Sequence, residues 1–191
     1  MKNTFTNLIL LILLTSVACK PISMMIAKKT GEFIEPQKET SASILSYCNQ
    51  MKVNYDQLYV IKTEDQFTSF IGKYNHVPEI FVFDKNKHII TTAVKSNCPW
   101  TMVNFIYDTA IKTRILQDTS MFSEIISNFK MIDNKTPTAE ADYYILCSWA
   151  KFTPKLTKAL FETVNKQKKE NKLNVCHILL NVDLQESWTK N

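Results

Sequence analysis

Short apolar runs alternate with amphipathic stretches through most of the chain after residue 40, and this alternation is the strongest constraint on its fold. Residues 58–61 (LYVI), residues 80–83 (IFVF) and Tyr143–Trp149 (YYILCSW) have the length and composition of buried strands. Between these runs, apolar residues recur at helical spacing. This order of elements predicts an α/β fold with a mainly parallel sheet that helices cover on both faces.

Capping signals mark the start of two predicted helices. Thr63 followed by Gln66 is a capping-box pattern, and Thr153 followed by Pro154 predicts the cap and the first position of a later helix. The other predicted elements are helices at 41–52, 99–112 and 121–129, an antiparallel strand at 88–94, a loop at 133–141, a solvated helix end at 166–172 and a last strand at 173–184.

The first 18 residues are predicted to be a secretory signal peptide. Lys2 supplies the positive charge, and residues 8–14 (LILLILL) form an apolar segment too short to span a bilayer. Residues 15–19 (TSVAC) then place small residues before a cysteine. This end resembles the lipobox of bacterial lipoproteins, in which the cysteine takes a diacylglycerol and becomes the new N-terminus, although Ser16 stands where leucine is usual.

Lipidation at Cys19 would hold the protein at a membrane through its N-terminus. We expect residues 19–40 to form the lipid anchor and tether, and residues 41–191 to form one domain. The expected location is the bacterial cell envelope, facing the periplasm or the exterior. The alternative is plain secretion, because the small residues before Cys19 also suit ordinary signal-peptide cleavage, which attaches no lipid.

The composition argues against nucleotide and nucleic-acid binding. The glycines are Gly31 and Gly72, whereas phosphate-binding loops need several. Arg114 is the single arginine, and nucleic-acid-binding proteins rely on arginine for bidentate contacts. The net charge of +5 comes from lysines and suits solubility or weak attraction to anionic lipid. We expect no nucleotide and no nucleic acid as a partner.

No metal site and no cofactor are expected from the sequence. Zinc sites combine histidines and cysteines at characteristic short spacings. The three histidines of this chain are widely separated and fit none of these spacings: His76, His88 and His177.

Two segments resemble the thioredoxin superfamily, especially the membrane-tethered thiol-disulfide reductases of bacteria. Residues 59–61, the helix that follows and residues 77–87 (VPEIFVFDKNK) are similar to the strand, helix, cis-proline and closing hairpin of that family, with Pro78 as the cis-proline. Residues 143–156 (YYILCSWAKFTPKL) resemble the strand that enters its Trp-Ala-x-Trp-Cys-x-x-Cys turn. The resemblance implies a thioredoxin-like mixed sheet with helices on both faces, circularly rearranged because the active-site half comes second, or else the remains of two such units.

Thr153 and Leu156 stand where the two redox cysteines of that family would lie. Dithiol exchange needs a thiolate at the helix start and a resolving thiol one turn later. The resemblance therefore implies a redox-inactive domain, more a binding protein than an enzyme, whose partner is a protein or an extended peptide. The residues that it implies for the peptide groove are Trp149, Phe152, Thr153, Val77 and Pro78.

The other cysteines leave two alternatives open. Cys98 lies at a predicted helix start, where the helix dipole lowers a thiol pKa, so the chain could be a thiol-disulfide oxidoreductase that uses Cys98 alone or with Cys48. Cys147 and Cys176 lie in apolar runs and are expected to be core residues. The further alternative is a structural lipoprotein with an unrelated α/β fold.

Overall fold

The computed structural model describes residues 33–74, 76–92, 113–115, 118–133, 135, 140–170 and 173–188. In these ranges the helices are α1 Ser41–Gln50, α2 Glu64–Tyr74, α3 Ser120–Ser127 and α4 Pro154–Glu170. The strands are β1 Lys38–Glu39, β2 Gln57–Ile61, β3 Ile80–Asp84, β4 Ile89–Thr92, β5 Thr113–Ile115, β6 Phe129–Met131, β7 Tyr143–Trp149, β8 Val175–Asn181 and β9 Leu184–Gln185.

The main sheet has the order β5-β4-β3-β7-β8-β2-β6. Its centre is parallel, since β7 pairs with β8 and β8 with β2 in the same direction. The other pairs of this sheet are antiparallel. The α/β fold and the mixed sheet that the resemblance implies are therefore confirmed, whereas the expectation of a mainly parallel sheet is wrong. The short turn between β3 and β4 gives an antiparallel hairpin, as predicted, but β3 is also antiparallel to β7, and β6 is antiparallel to β2.

Helices cover both faces of the main sheet, as predicted. The core cluster on one face joins Ile44 of α1 and Leu160 of α4 to alternate residues of β7, including Ile145. The cluster on the other face joins Phe70 of α2 and Ile125 of α3 to the intervening residues of the strands. The alternation follows from the two-residue repeat of a strand, which sends successive side chains to opposite faces.

Several boundaries differ from those predicted. α3 ends at Ser127, and Phe129, the last residue of the predicted helix, instead begins β6, which pairs with β2. The last predicted strand is divided into β8 and β9. Gln167, in the predicted solvated end of α4, is buried at 4% exposure. The predicted helix at 99–112, Cys98 and Cys19 lie outside the described residues.

Residues 33–39, which we call the N-terminal strap, lie against the domain. β1 in the strap pairs in parallel with β9, and Glu186 N–H donates to Glu39 O at 3.0 Å. At the other end of the strap, Ile34 N–H donates to Phe152 O at 2.9 Å, and the ring of Phe33 lies 5.7 Å from that of Phe152. The strap therefore reaches the connection between β7 and α4.

Candidate functional site

Pro78 precedes β3 and lies beside the end of β7. The Val77–Pro78 peptide bond is cis, the isomer that the resemblance implies. Glu79 then pairs with Ser148: Ser148 N–H donates to Glu79 O at 2.8 Å, and Glu79 N–H donates to the Ser148 hydroxyl at 2.7 Å. Because Ile80 lies opposite Cys147, this pairing fixes residues 77–79 next to the turn that follows β7.

The turn between β7 and α4, residues 150–153, is tied down by two threonine hydroxyls. Thr157 donates to Ala150 O at 2.6 Å and Thr153 donates to the same oxygen at 3.1 Å. Thr153 precedes α4 as predicted, but its hydroxyl bonds backward to Ala150 instead of serving as the expected cap acceptor. Thr153 is buried at 7% exposure, whereas Leu156 is 40% exposed.

A buried carboxyl group lies under this turn. Both oxygens of Asp183 accept the Lys151 main-chain N–H, at 3.0 and 2.9 Å, and Oδ2 also accepts from the Asn181 amide at 2.7 Å. Gln185 donates to Asp183 O at 2.7 Å. Asp183, Asn181 and Gln185 are all at most 2% exposed, so these polar groups satisfy one another at the carboxyl end of β8.

The pKa of the buried Asp183 carboxyl is raised above its ordinary value. Burial raises the pKa of this carboxyl, and the charge of Glu39 raises it further. The bonds from Lys151 and Asn181 lower the pKa and oppose this effect. Since its oxygens are occupied by main-chain and amide donors, the group joins β8 to the turn and is not presented to solvent.

Glu39 of the strap completes the same region. Its carboxylate pairs with Lys151 Nζ at 2.6 Å and accepts from the Ser43 hydroxyl at 2.5 Å. An open pocket of about 360 Å³ lies beside it and is lined by Glu39, Thr40, Ser41, Gln185, Glu186 and Ser187. The strap, the turn and the end of β8 thus contact one another at the carboxyl end of the parallel strands, where ligands of open α/β sheets commonly bind.

The predicted groove residues occupy different depths in this region. Trp149 is fully buried and stacks on Tyr47 with ring centroids 5.7 Å apart, so it supports the turn from below instead of lining a groove. Pro78 is buried, whereas Val77 and Phe152 are half-buried. Within the described ranges, the main-chain N–H and C=O groups of Val77 take part in no backbone hydrogen bond.

The described cysteines do not resemble reactive thiols. Cys48, Cys147 and Cys176 are each 1% exposed, which confirms the core assignment of Cys147 and Cys176. Burial raises the pKa of Cys48 to about 12 and has the same effect on Cys147. A thiol with so high a pKa carries almost no thiolate at neutral pH.

The part that Asp183 plays is not evident from the sequence. Asp183 is buried, whereas the nearby Glu186 is exposed. The available signal was the presence of two polar residues, Asn181 and Asp183, at the end of a long apolar run, at the sheet edge where polar side chains of α/β proteins gather.

In the described part of the chain, no three histidine, cysteine or acidic side chains are grouped so as to hold a metal ion. Nor does any described helix combine the length and the apolar composition needed to cross a membrane. Comparison with known proteins gave no match to a family model, to a curated protein or to a solved structure. The structure establishes a mixed α/β sheet protein.

Proposed function

We propose that this chain is a membrane-anchored lipoprotein of the cell envelope whose domain is thioredoxin-like, redox-inactive and specialised to bind a peptide or protein partner. The observation that carries the proposal is the pairing of residues 79–84 with β7 immediately before a turn that contains no thiol. The anchoring part rests on the sequence around Cys19.

The spatial arrangement of the two resembling segments supports the thioredoxin-like part. β7, α4 and β8 form a parallel βαβ unit, and β3 with β4 forms an antiparallel hairpin beside it. These are the segments on which the resemblance rests, and they are adjacent in the sheet although about 60 residues of sequence separate them. A rearranged chain order is compatible with this adjacency.

The main chain at Val77 supports the binding part. Its N–H and C=O groups, which take part in no backbone hydrogen bond in the described ranges, are available to pair with an extended segment of a partner, as in other forms of strand addition. Thr153, in contrast, is buried and its hydroxyl donates to Ala150 O, so this hydroxyl is not presented as a nucleophile.

Peptide selection on the soluble chain tests the binding role. A chain that begins at Lys20 keeps every described residue, and displayed peptide libraries should yield ligands whose affinity falls about tenfold or more in Val77→Asp. Lys85→Glu, at the exposed β3–β4 turn, is the control and should bind normally. Failure to select any ligand, or equal loss in both variants, would contradict the proposal.

The redox alternative is separated by insulin reduction. The soluble chain is expected to show no turnover with dithiothreitol, whereas turnover that disappears in Cys98→Ser would identify an oxidoreductase and overturn the redox-inactive assignment. Labelling of the full-length precursor with a radioactive fatty acid, lost in Cys19→Ser, tests the anchor independently.

A further inference from the structure

The solvent face of α4 is basic. Its exposed charged side chains are those of Lys155, Lys158, Lys166, Lys169, Glu162 and Glu170, which leaves an excess of two positive charges. The pairs Lys158–Glu162 and Lys166–Glu170 are each 3.9 Å apart and largely exposed, so they hold these lysines only weakly. The lysines therefore remain available to an anionic surface.

Two exposed apolar side chains lie at the N-terminal end of the same helix. Leu156, in the first turn of α4, is 40% exposed, and Ile34 of the strap is 47% exposed. They are the large hydrophobic side chains that the described part of the chain leaves exposed. Ile34 is held at this end of α4 by its hydrogen bond to Phe152 O.

The course of the chain brings this end of α4 near the expected anchor. Thirteen residues, 20–32, separate Cys19 from Phe33, and they span at most roughly 45 Å when fully extended. Since the strap begins at Phe33 and contacts Phe152, a lipid on Cys19 would hold the N-terminal end of α4 within the length of this tether from the bilayer. The intervening sequence adds Lys20, Lys28 and Lys29.

We propose that the α4 surface, formed by Ile34, Leu156, Lys155, Lys158, Lys166 and Lys169, lies on the anionic headgroups of the membrane. The lysines are attracted to the lipid phosphates, and Ile34 and Leu156 contact the boundary between headgroups and acyl chains. This surface fixes the orientation of the domain, with the region around Val77 held near the membrane. The inference rests on the anchoring part of the proposed function and not on peptide binding.

Vesicle co-sedimentation of the unlipidated chain from Lys20 tests the surface without the lipid anchor. The chain is expected to bind vesicles of phosphatidylcholine mixed with phosphatidylglycerol and to bind pure phosphatidylcholine weakly. Lys155→Glu/Lys158→Glu should weaken binding to the mixed vesicles by about tenfold or more, and Leu156→Ser should weaken it further. The matched control Lys85→Glu/Lys130→Glu makes the same charge change at exposed sites outside α4.

Circular dichroism of each variant establishes that it is folded. Equal weakening by the control, or no binding of the parent chain to either vesicle, would overturn the inference. The same holds if sedimentation equilibrium shows that Leu156→Ser dissociates a dimer while vesicle binding is unchanged, because the surface would then bind a second copy. Fatty-acid labelling of the precursor and peptide affinity are measured separately, so a failure of the proposed function is distinguishable from a failure here.

Discussion

Acidification from pH 7.5 to pH 4 is expected to destabilise the fold through His177. This residue of β8 is 1% exposed, and its Nε2 lies 2.8 Å from Oε1 of the buried Gln167 of α4. Burial lowers the pKa of His177 to about 4, and the nearby Lys168 cation acts in the same direction, while Asp56 opposes them. The folded protein therefore keeps a neutral imidazole where the unfolded chain would already be protonated.

The size of the effect follows from the two pKa values. Because folding lowers the pKa of His177, this residue leaves the free energy of unfolding unchanged above its unfolded pKa of 6.5. The free energy of unfolding then decreases as the pH falls from 6.5 toward about 4. At roughly 1.4 kcal/mol per pH unit, the loss amounts to about 3 kcal/mol. Burial raises the pKa of Asp183 and of Glu79. These carboxyl groups therefore increase the free energy of unfolding as the pH falls, which opposes the effect of His177.

A comparison of variants isolates the histidine. The free energy of unfolding is measured by urea titration with circular dichroism from pH 7.5 to pH 4, for the parent chain and for His177→Gln. The variant should lose about 3 kcal/mol less than the parent over this range, because the carboxyl groups are common to both. His88→Gln, at a half-buried position, controls for the loss of a histidine as such. Parallel pH profiles for parent and His177→Gln would refute the reasoning.

Three further substitutions test the region between β7, β8 and the strap. Asp183→Ala should lower the free energy of unfolding by about 2–4 kcal/mol in urea titrations, because it leaves the buried donors around it unpaired; a change as small as that of an exposed residue would contradict this. Ser148→Ala should cost about 1–3 kcal/mol in the same assay, since Glu79 N–H loses its acceptor, and an unchanged midpoint would count against that bond. Glu39→Gln should leave global stability within about 1 kcal/mol but speed proteolytic cleavage before residue 40, because the pair with Lys151 holds the strap; an unchanged cleavage rate would show that other contacts suffice.

The sequence predicts well where a short apolar run has clear ends. β7 is found at Tyr143–Trp149, where the sequence predicts it, because polar and turn-forming residues bound a run that no helical pattern explains. β6 was missed because a three-residue strand has no detectable period, and its pairing with β2 decides its conformation. The prediction that Gln167 lies in a solvated helix end is wrong, because Gln167 shares the inner face of α4 with Leu160 and Val164 at helical spacing.

The polar residues of the candidate site were harder to predict. Asn181, Asp183 and Gln185 differ little in sequence from ordinary turn residues, and hydropathy alone marks them as exposed. They are buried because the turn after β7 and the strap cover the end of β8. The strap is more than 100 residues away in sequence, so no local pattern contains the information. Only the general tendency of polar groups to collect at the carboxyl ends of parallel strands pointed to them.

The structure of the turn bears on the proposed lack of thiol exchange at the start of α4. A nucleophilic thiol at a helix start must be accessible and must receive the unpaired N–H groups of the first turn. Here the corresponding position holds Thr153, which is 7% exposed and donates to Ala150 O, while Thr157 one turn later donates to the same oxygen. A cysteine introduced at position 153 would meet the same burial, which raises a thiol pKa. Replacing one residue would therefore not supply a reactive thiol, whereas the peptide pairing that we propose at the main chain of Val77 requires no substitution.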